Sequence, residues 1–353
     1  MKIFLDTAAF RRPGSNRGLG RYSRALVESV SQVDEFEVTQ VSSSCALPVN
    51  NRLEEWVDMV SRTVFLSRSN FDIFHSTSVY QVPALFLPKT VCSIQDIIPI
   101  DYDGYTKTGI KAKFFHGFAP RFGAVVVSSD HTRSRLVEKL AVEPSRIFNA
   151  PLPVPLLQMS DAAHTKMDIL LPDGPYVCAL FDISAPDPRK RLDLFLLVAA
   201  ILDGYGLKSV VIGEGTEILI GMKGILALGR VSDAEMATVY AGAVCYLYTT
   251  EYEGQGLPPQ EAMALGTPAV ATPNSSLPEM LGDGAVFVDT NALRETQDLS
   301  HALAAACLAI AEDETYRSKL ARDGVVHISS FSERRFLDGV VAAYSFVHSN
   351  RNI

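Results

Sequence analysis

Short β-branched runs alternate with helical stretches along almost the whole of this 353-residue chain, and no other feature narrows the fold as much. KIFLDT, FEVTQV, FDIFHS, TVCSIQD, AVVVSS and RIFNAP come first, with helical stretches near 20–32, 107–119 and 131–140 between some of them. PLPVP follows at 151–155; three prolines in five residues cannot continue a helix or a central strand, which marks a linker. The alternation then restarts with YVCALFD, SVVIGEG, ILALGRV, AVCYLYT, TPAVAT and AVFVD, and helices near 190–203, 232–241 and 257–265. Strands and helices in strict turn predict parallel sheets covered on both faces. The expected fold class is α/β, as two doubly wound Rossmann-like domains over 1–155 and 156–335. A last helix over 336–353 is expected to pack back on the first domain.

Length agrees, since 353 residues at 47% hydrophobic and 20% charged suffice for two cores of about 150 residues each. No apolar run reaches 18 residues and MKIFLDTAAF lacks a signal-peptide pattern, which predicts a cytoplasmic protein. Cysteines 45, 92, 178, 245 and 307 are scattered without a CxxC pair and read as reduced, buried thiols. The net charge of −8 argues against nucleic acid as a partner. It is unevenly spread: +3 over residues 1–155 and −11 over the rest, from different partners or from drift.

In doubly wound folds ligands bind outside the carboxyl ends of the strands. There lies EYEGQGLPPQEAMALGTPAVAT, residues 251–272, with Glu253 and Glu261 on either side of a Gly/Pro turn. Gly254 and Gly256 allow backbone to approach a ligand, and Pro258 or Pro259 suits a first helical turn. The amides near Gly256 and Leu257 make an anion site. Two carboxylates beside a phosphate would repel it, but a carboxylate accepts two bonds from a vicinal diol. A sugar attached to a diphosphate satisfies both demands.

Glu253 and Glu261, seven residues apart and followed by AMALGTPAVAT and SSLPE, resemble the E-x7-E signature of the retaining GT-B glycosyltransferases of family four. Further pieces fall in that family's order: GLGRYSRAL (18–26), IQDIIPI (94–100), VVVSSDHTRSRL (125–136), PRKR (188–191), VIGEG (211–215), LGRVSDAEMATVYAGA (228–243) and LPEMLGDGAVFVD (277–289).

The resemblance implies transfer of a sugar from a nucleotide diphosphate to an acceptor hydroxyl with retained configuration, in an interdomain cleft and without metal or other cofactor. By it, Glu253 lies at the transferred sugar and Glu261 at the ribose. Gly18 to Gly20 approach the diphosphate, Arg189 and Lys190 neutralise it, and Gly229 to Val231 touch the base. Gly254, Gln255, Gly256 and Leu257 complete the donor set, with Gln255 where relatives carry an aromatic. Gln95 and Asp96 stand where many relatives carry His-Asp, and Phe181 and Asp182 where they carry Gly-Arg. Asp96 is then the remaining candidate to position sugar or acceptor. Gln95, Arg17, Arg21 and His131 are further acceptor-side candidates.

The implied mechanism is front-face substitution. Lys190, Arg189 and backbone amides stabilise the leaving diphosphate, and closure at PLPVP excludes water. The acceptor expected is a glycan or lipid-linked glycan. Lys107, Lys111, Lys113 and Arg121 around the apolar IKAKFFHGFAP suit an anionic inner membrane. No histidine or cysteine spacing builds a metal site. DYD at 101–103 is the one fragment of the metal-binding pair of the other large glycosyltransferase fold. Two alternatives stay open: a catalytically silent subunit, favoured by Gln95 and Asp182, and a sugar-nucleotide epimerase on the same plan.

Overall fold

The computed structural model describes residues 1–11, 18–42, 54–102, 110–290 and 295–350. By its packing the chain divides into a first unit, residues 1–153 with 331–353, and a second, 154–330. The first division falls inside PLPVP, where prolines forbid regular structure.

The first unit is built on β1 (Lys2–Asp6), β2 (Glu37–Val41), β3 (Ile73–Ser76), β4 (Thr90–Ser93), β5 (Ala124–Val127) and β6 (Ile147–Asn149). They form one parallel sheet in the order β2-β1-β3-β4-β5-β6. β3, β4 and β5 are buried at every position, as strands covered on both faces must be. Ile97, Phe115, Phe122, Val125, Val127 and Leu136 lead one core.

A polar chain crosses the sheet. Tyr22 Oη and His75 Nε2 lie 2.6 and 2.7 Å from Ser93 Oγ, and His75 Nδ1 lies 2.7 Å from Tyr344 Oη. Burial lowers the His75 pKa to about 3, so the ring is neutral. Tyr344 belongs to the helix Glu333–Ser349, capped by Ser332, whose Oγ accepts from Arg335 N at 3.2 Å. Phe336, Val340, Ala343, Tyr344 and Val347 recur at helical spacing on its buried face. Phe336 meets the Tyr22 ring edge-on at 5.6 Å. These contacts make the helix part of the first unit, and the division falls before Phe331.

The second unit holds β7 (Tyr176–Leu180), β8 (Lys208–Ile212), β9 (Ile225–Ala227), β10 (Cys245–Tyr248), β11 (Ala269–Ala271) and β12 (Ala285–Phe287). The order is β12-β11-β10-β7-β8-β9, all parallel. Strand order therefore reverses between β7 and β10, the switch point at which such sheets take ligands. Val177, Phe195, Val198, Leu202, Val211 and Leu247 pack with Leu303 and Ile310 of the helix Thr296–Glu312.

All twelve strand-like runs form strands. The helix expected near 107–119 is Ile110–His116, with 103–109 outside the described residues. The helix Glu54–Ser67 is not legible in the sequence. Val60, Val64 and Phe65 of that helix are exposed, so its apolar positions do not form one stripe. Cys92, Cys178, Cys245 and Cys307 are buried free thiols, and Cys45 lies outside the described residues. Among the described residues no helix is long and apolar enough to cross a membrane.

Candidate active site

The loop leaving β7 turns sharply because Asp187 caps it, its Oδ1 accepting from Arg189 N at 3.1 Å, and Pro188 opens the following 3-10 turn. The loop leaving β10 is stitched to that turn. Glu251 N donates to Arg189 O at 2.8 Å, and Thr249 Oγ1 to Lys190 O at 2.8 Å. These links across the switch point bring Lys190 against Glu253.

Glu253 Oε1 accepts from Lys190 Nζ and, at 2.8 Å, from Tyr248 Oη. Lys190 Nζ also lies 3.3 Å from Tyr248 Oη and 5.4 Å above its ring. The Glu253 backbone is fixed from the loop after β11: its N–H donates to Ser275 Oγ and its carbonyl accepts from Ser276 Oγ, both at 2.8 Å. Burial pushes the Glu253 pKa up, but the charges of Lys190 and Arg189 outweigh it and the net shift is down. Burial, followed by the Glu253 charge, raises the Tyr248 pKa well above its usual value. The carboxylate is thus ionised and Tyr248 is a donor to it. An ammonium has three N–H groups, so Glu253 and Tyr248 leave Lys190 one for a further acceptor.

Arg189 is used otherwise. Its Nε lies 3.1 and 3.0 Å from the two Asp187 oxygens, Nη2 lies 2.5 Å from Oδ2, and Nη1 donates to Tyr252 O at 2.7 Å. It supports the loop that carries Glu253. Arg191 pairs with Asp193 and Glu251. Asp182 accepts from Ser184 Oγ at 2.6 Å and Ala185 N at 3.2 Å, closing a local turn.

The helix Leu257–Ala264 starts at Gly256, whose φ of +77° only glycine adopts without strain. Pro258 and Pro259 have no N–H, so the helix start presents the amides of Gly256 and Leu257. Gly254 is buried, and Gln255 is turned inward, its Nε2 3.1 Å from Gln260 Oε1. Gln260 Nε2 in turn donates to Met280 O at 3.0 Å. Glu261 is 3% exposed, and burial, with a lesser contribution from the Glu261 charge, raises the pKa values of Tyr240 and Tyr246 well above the usual one.

Gly229 N donates to Thr216 Oγ1 at 3.1 Å, and its carbonyl accepts from Gly213 N at 2.8 Å. A Cβ there would stand 2.4 Å from Glu217 Oε1. Val231 is half-buried beside it.

The acceptor-side candidates lie in the first unit, as do Gly18 and Gly20 of the donor set. Gly18, at φ +47°, opens the helix Gly18–Val30, with Gly20 buried and Arg21 half-buried; Arg17 lies outside the described residues. Gln95 and Asp96 follow β4, and His131 is the second residue of the helix Asp130–Leu140 after β5. Ser128 Oγ and Thr132 Oγ1 donate to Gln95 O at 3.0 and 3.2 Å, which gathers these residues at one sheet edge. Asp96 Oδ1 accepts from Ile98 N at 3.1 Å and so starts a turn. Burial lowers the His131 pKa, against Asp101 and with Arg135. Asp101 of DYD is paired with Arg135, and Asp103 lies outside the described residues.

Sequence reasoning missed Tyr248, Asp187, Ser275 and Ser276. Tyr248 reads as core within AVCYLYT, and the serines act across 22 and 23 residues. Asp187 had a signal, an acidic residue two positions before the arginine it holds.

Residues 176–313 match the family model described as Glycosyl transferases group 1. The O-antigen chain mannosyltransferase B of Escherichia coli is 24% identical, over 98% of this chain and 100% of that one. Sucrose-phosphate synthase from Thermosynechococcus elongatus superposes with a TM-score of 0.74 at 15% identity, over 99% of each chain. Anabaena HepE, in complex with UDP and glucose, does so at 0.67 and 14% identity, over 98% of this chain and 99% of that one. The chain therefore has the GT-B fold, and the stretch 176–313 of its second unit is similar to the group 1 glycosyl transferases.

Proposed function

We propose that the protein is a glycosyltransferase of polysaccharide assembly. It moves a hexose-type sugar, with mannose favoured, from a nucleotide diphosphate to a hydroxyl of a glycan or lipid-linked glycan. The observation that carries this reading is the Lys190–Glu253–Tyr248 contact at the switch point of the second sheet, next to the Gly256 and Leu257 amides. Similarity to a protein named for mannosyl transfer to O-antigen supports the sugar and the acceptor class.

In the proposed reaction the bond from the anomeric carbon to the diphosphate breaks and one to the acceptor oxygen forms on the same face. The acceptor proton leaves with the diphosphate oxygen, so configuration is retained and no separate base is needed. Lys190 and the two amides hold the departing negative charge, and Glu253 accepts from the sugar hydroxyls. Because Arg189 is committed to Asp187 and Tyr252, the cationic share of charge stabilisation falls on Lys190. No step draws on a metal.

Incubation with UDP-, GDP-, ADP- and dTDP-sugars and a neutral mannan acceptor should release one nucleotide, with or without a chelator. NMR of the product should show the donor's anomeric configuration. Glu253→Ala and Lys190→Ala should lower release by roughly 100- to 1,000-fold with unchanged melting. Binding without release would assign a silent subunit, and conversion of donor without acceptor an epimerase. Loss of activity with the chelator, or an inverted product, would remove the corresponding part of the mechanism.

A further inference from the structure

The loop after β11 makes a tight turn over residues 274–277, closed by Leu277 N, which donates to Asn274 O at 3.1 Å. Asn274 is pinned to the end of the strand: its N–H donates to Thr272 O and its Nδ2 to Thr272 Oγ1, each at 2.8 Å. Ser275 takes the first central position with φ +50°, and Ser276 the second with φ −83° and ψ −7°. A positive φ followed by a negative one makes this a type II′ turn, whose first central position suits glycine. A Cβ is strained there, and such strain persists only where the surroundings impose it.

What serine adds over glycine is one hydroxyl. Ser275 Oγ accepts from Glu253 N, and Ser276 Oγ, fully buried, donates to Glu253 O, both at 2.8 Å. Residues 251–256 belong to no helix or strand, so Glu253 takes its backbone position from this grip. The same turn reaches the other half of the site. The buried Leu277 has its Cδ2 3.0 Å from where a Cβ of Gly256 would stand, and so covers the residue that opens the helix Leu257–Ala264. One turn therefore spaces the carboxylate from the amides of Gly256 and Leu257. Reacting groups need to be held within about 0.5 Å of their places, and lone contacts to the Glu253 side chain leave its backbone free to drift.

We propose that Ser275 is a positioning residue, whose hydroxyl, held in a strained turn, sets the Glu253 carboxylate against the Gly256 and Leu257 amides for transfer. This rests on the transfer reading above. Ser275→Ala and Ser275→Gly test it on the full chain. Both remove the hydroxyl, but alanine keeps the backbone strain and glycine relieves it. The readouts are steady-state nucleotide release, with a sugar nucleotide that the wild-type chain turns over, and thermal melting.

Both variants should lower kcat by a similar factor, about 3- to 10-fold, the loss of one hydrogen bond. The donor KM should stay near the wild-type value, because Lys190 and the helix amides still hold the diphosphate. Melting should separate the two, with Ser275→Gly about 2 °C or more above Ser275→Ala. A residue that served folding alone would give activities in the order of the melting temperatures. Wild-type kcat in Ser275→Ala, a loss confined to KM, or a kcat that recovers in Ser275→Gly along with its melting temperature would overturn the proposal and leave the transfer reading standing. No release by the wild-type chain from any sugar nucleotide would remove both.

Discussion

Tyr248 decides how firmly Glu253 is held. Its hydroxyl donates to the carboxylate at 2.8 Å and lies 3.3 Å from the Lys190 ammonium. Tyr248→Phe keeps the ring and removes only this link. A hydrogen bond to a charged group is worth about 1.5–3 kcal/mol, which predicts a roughly 10- to 100-fold lower kcat in steady-state nucleotide release. The donor KM should change little, and wild-type turnover in this variant would sink the assignment. Lys190→Met should act further. It removes the largest charge holding the Glu253 pKa down, so burial is left less opposed and the acidic limb of the rate profile should move to higher pH. Glu253 stands out in the sequence as a carboxylate in a Gly/Pro turn between apolar runs, Lys190 only through the family resemblance of PRKR, and the structure brings the two side chains together. Tyr248 was not legible, because its hydroxyl has a role only once the loop after β10 folds back to the strand's end. Arg189 was legible as a cation, but only its geometry shows that Asp187 and Tyr252 absorb it.

Strands were the easiest elements to read, since buried parallel strands leave short β-branched runs. Sheet order was not readable, because pairing joins segments far apart in sequence. The polar chain of Tyr22, Ser93, His75 and Tyr344 shows the same limit: it links two strands with helices near both ends of the chain. Its histidine makes the first unit sensitive to acid. The folded pKa of His75 is about 3, below the unfolded value of about 6.5. Between those values the unfolded chain binds a proton that the folded chain does not, so stability falls as pH drops below about 6.5. The slope is about 1.4 kcal/mol per pH unit, or roughly 2 kcal/mol between pH 8 and pH 5. Trp56, the chain's one tryptophan, packs 4.6 Å from Phe114 and 5.3 Å from Phe115 in the same unit, so its fluorescence reports unfolding there. Urea midpoints read from it should decline over that range in the wild type and much less in His75→Gln. An equal decline in both would place the proton elsewhere.

Taken whole, the chain segregates its charge by unit. Residues 1–153 with 331–353 carry 21 Lys and Arg against 17 Asp and Glu, a net of +4, while 154–330 carry 11 against 23, a net of −12. The helix Ile110–His116 concentrates the feature that matters at a lipid surface. Ile110 is 88% exposed and Phe114 40%, with Lys111 and Lys113 between them and the Lys111 ammonium 5.7 Å above the Tyr80 ring. This helix is expected to give the first unit a weak, reversible hold on an anionic bilayer. Each lysine near such a surface contributes about 1 kcal/mol, and the attraction decays within a Debye length of about 8 Å at physiological salt. The protein should therefore float with phosphatidylglycerol-rich vesicles at low salt, lose most of that binding at physiological salt, and ignore neutral vesicles. Reversing both charges, Lys111→Glu with Lys113→Glu, should weaken flotation at least about tenfold, while turnover on a water-soluble acceptor stays unchanged. Absence of flotation at low salt would exclude membrane contact through this helix. Flotation indifferent to salt and to the reversed charges would show that another surface is responsible.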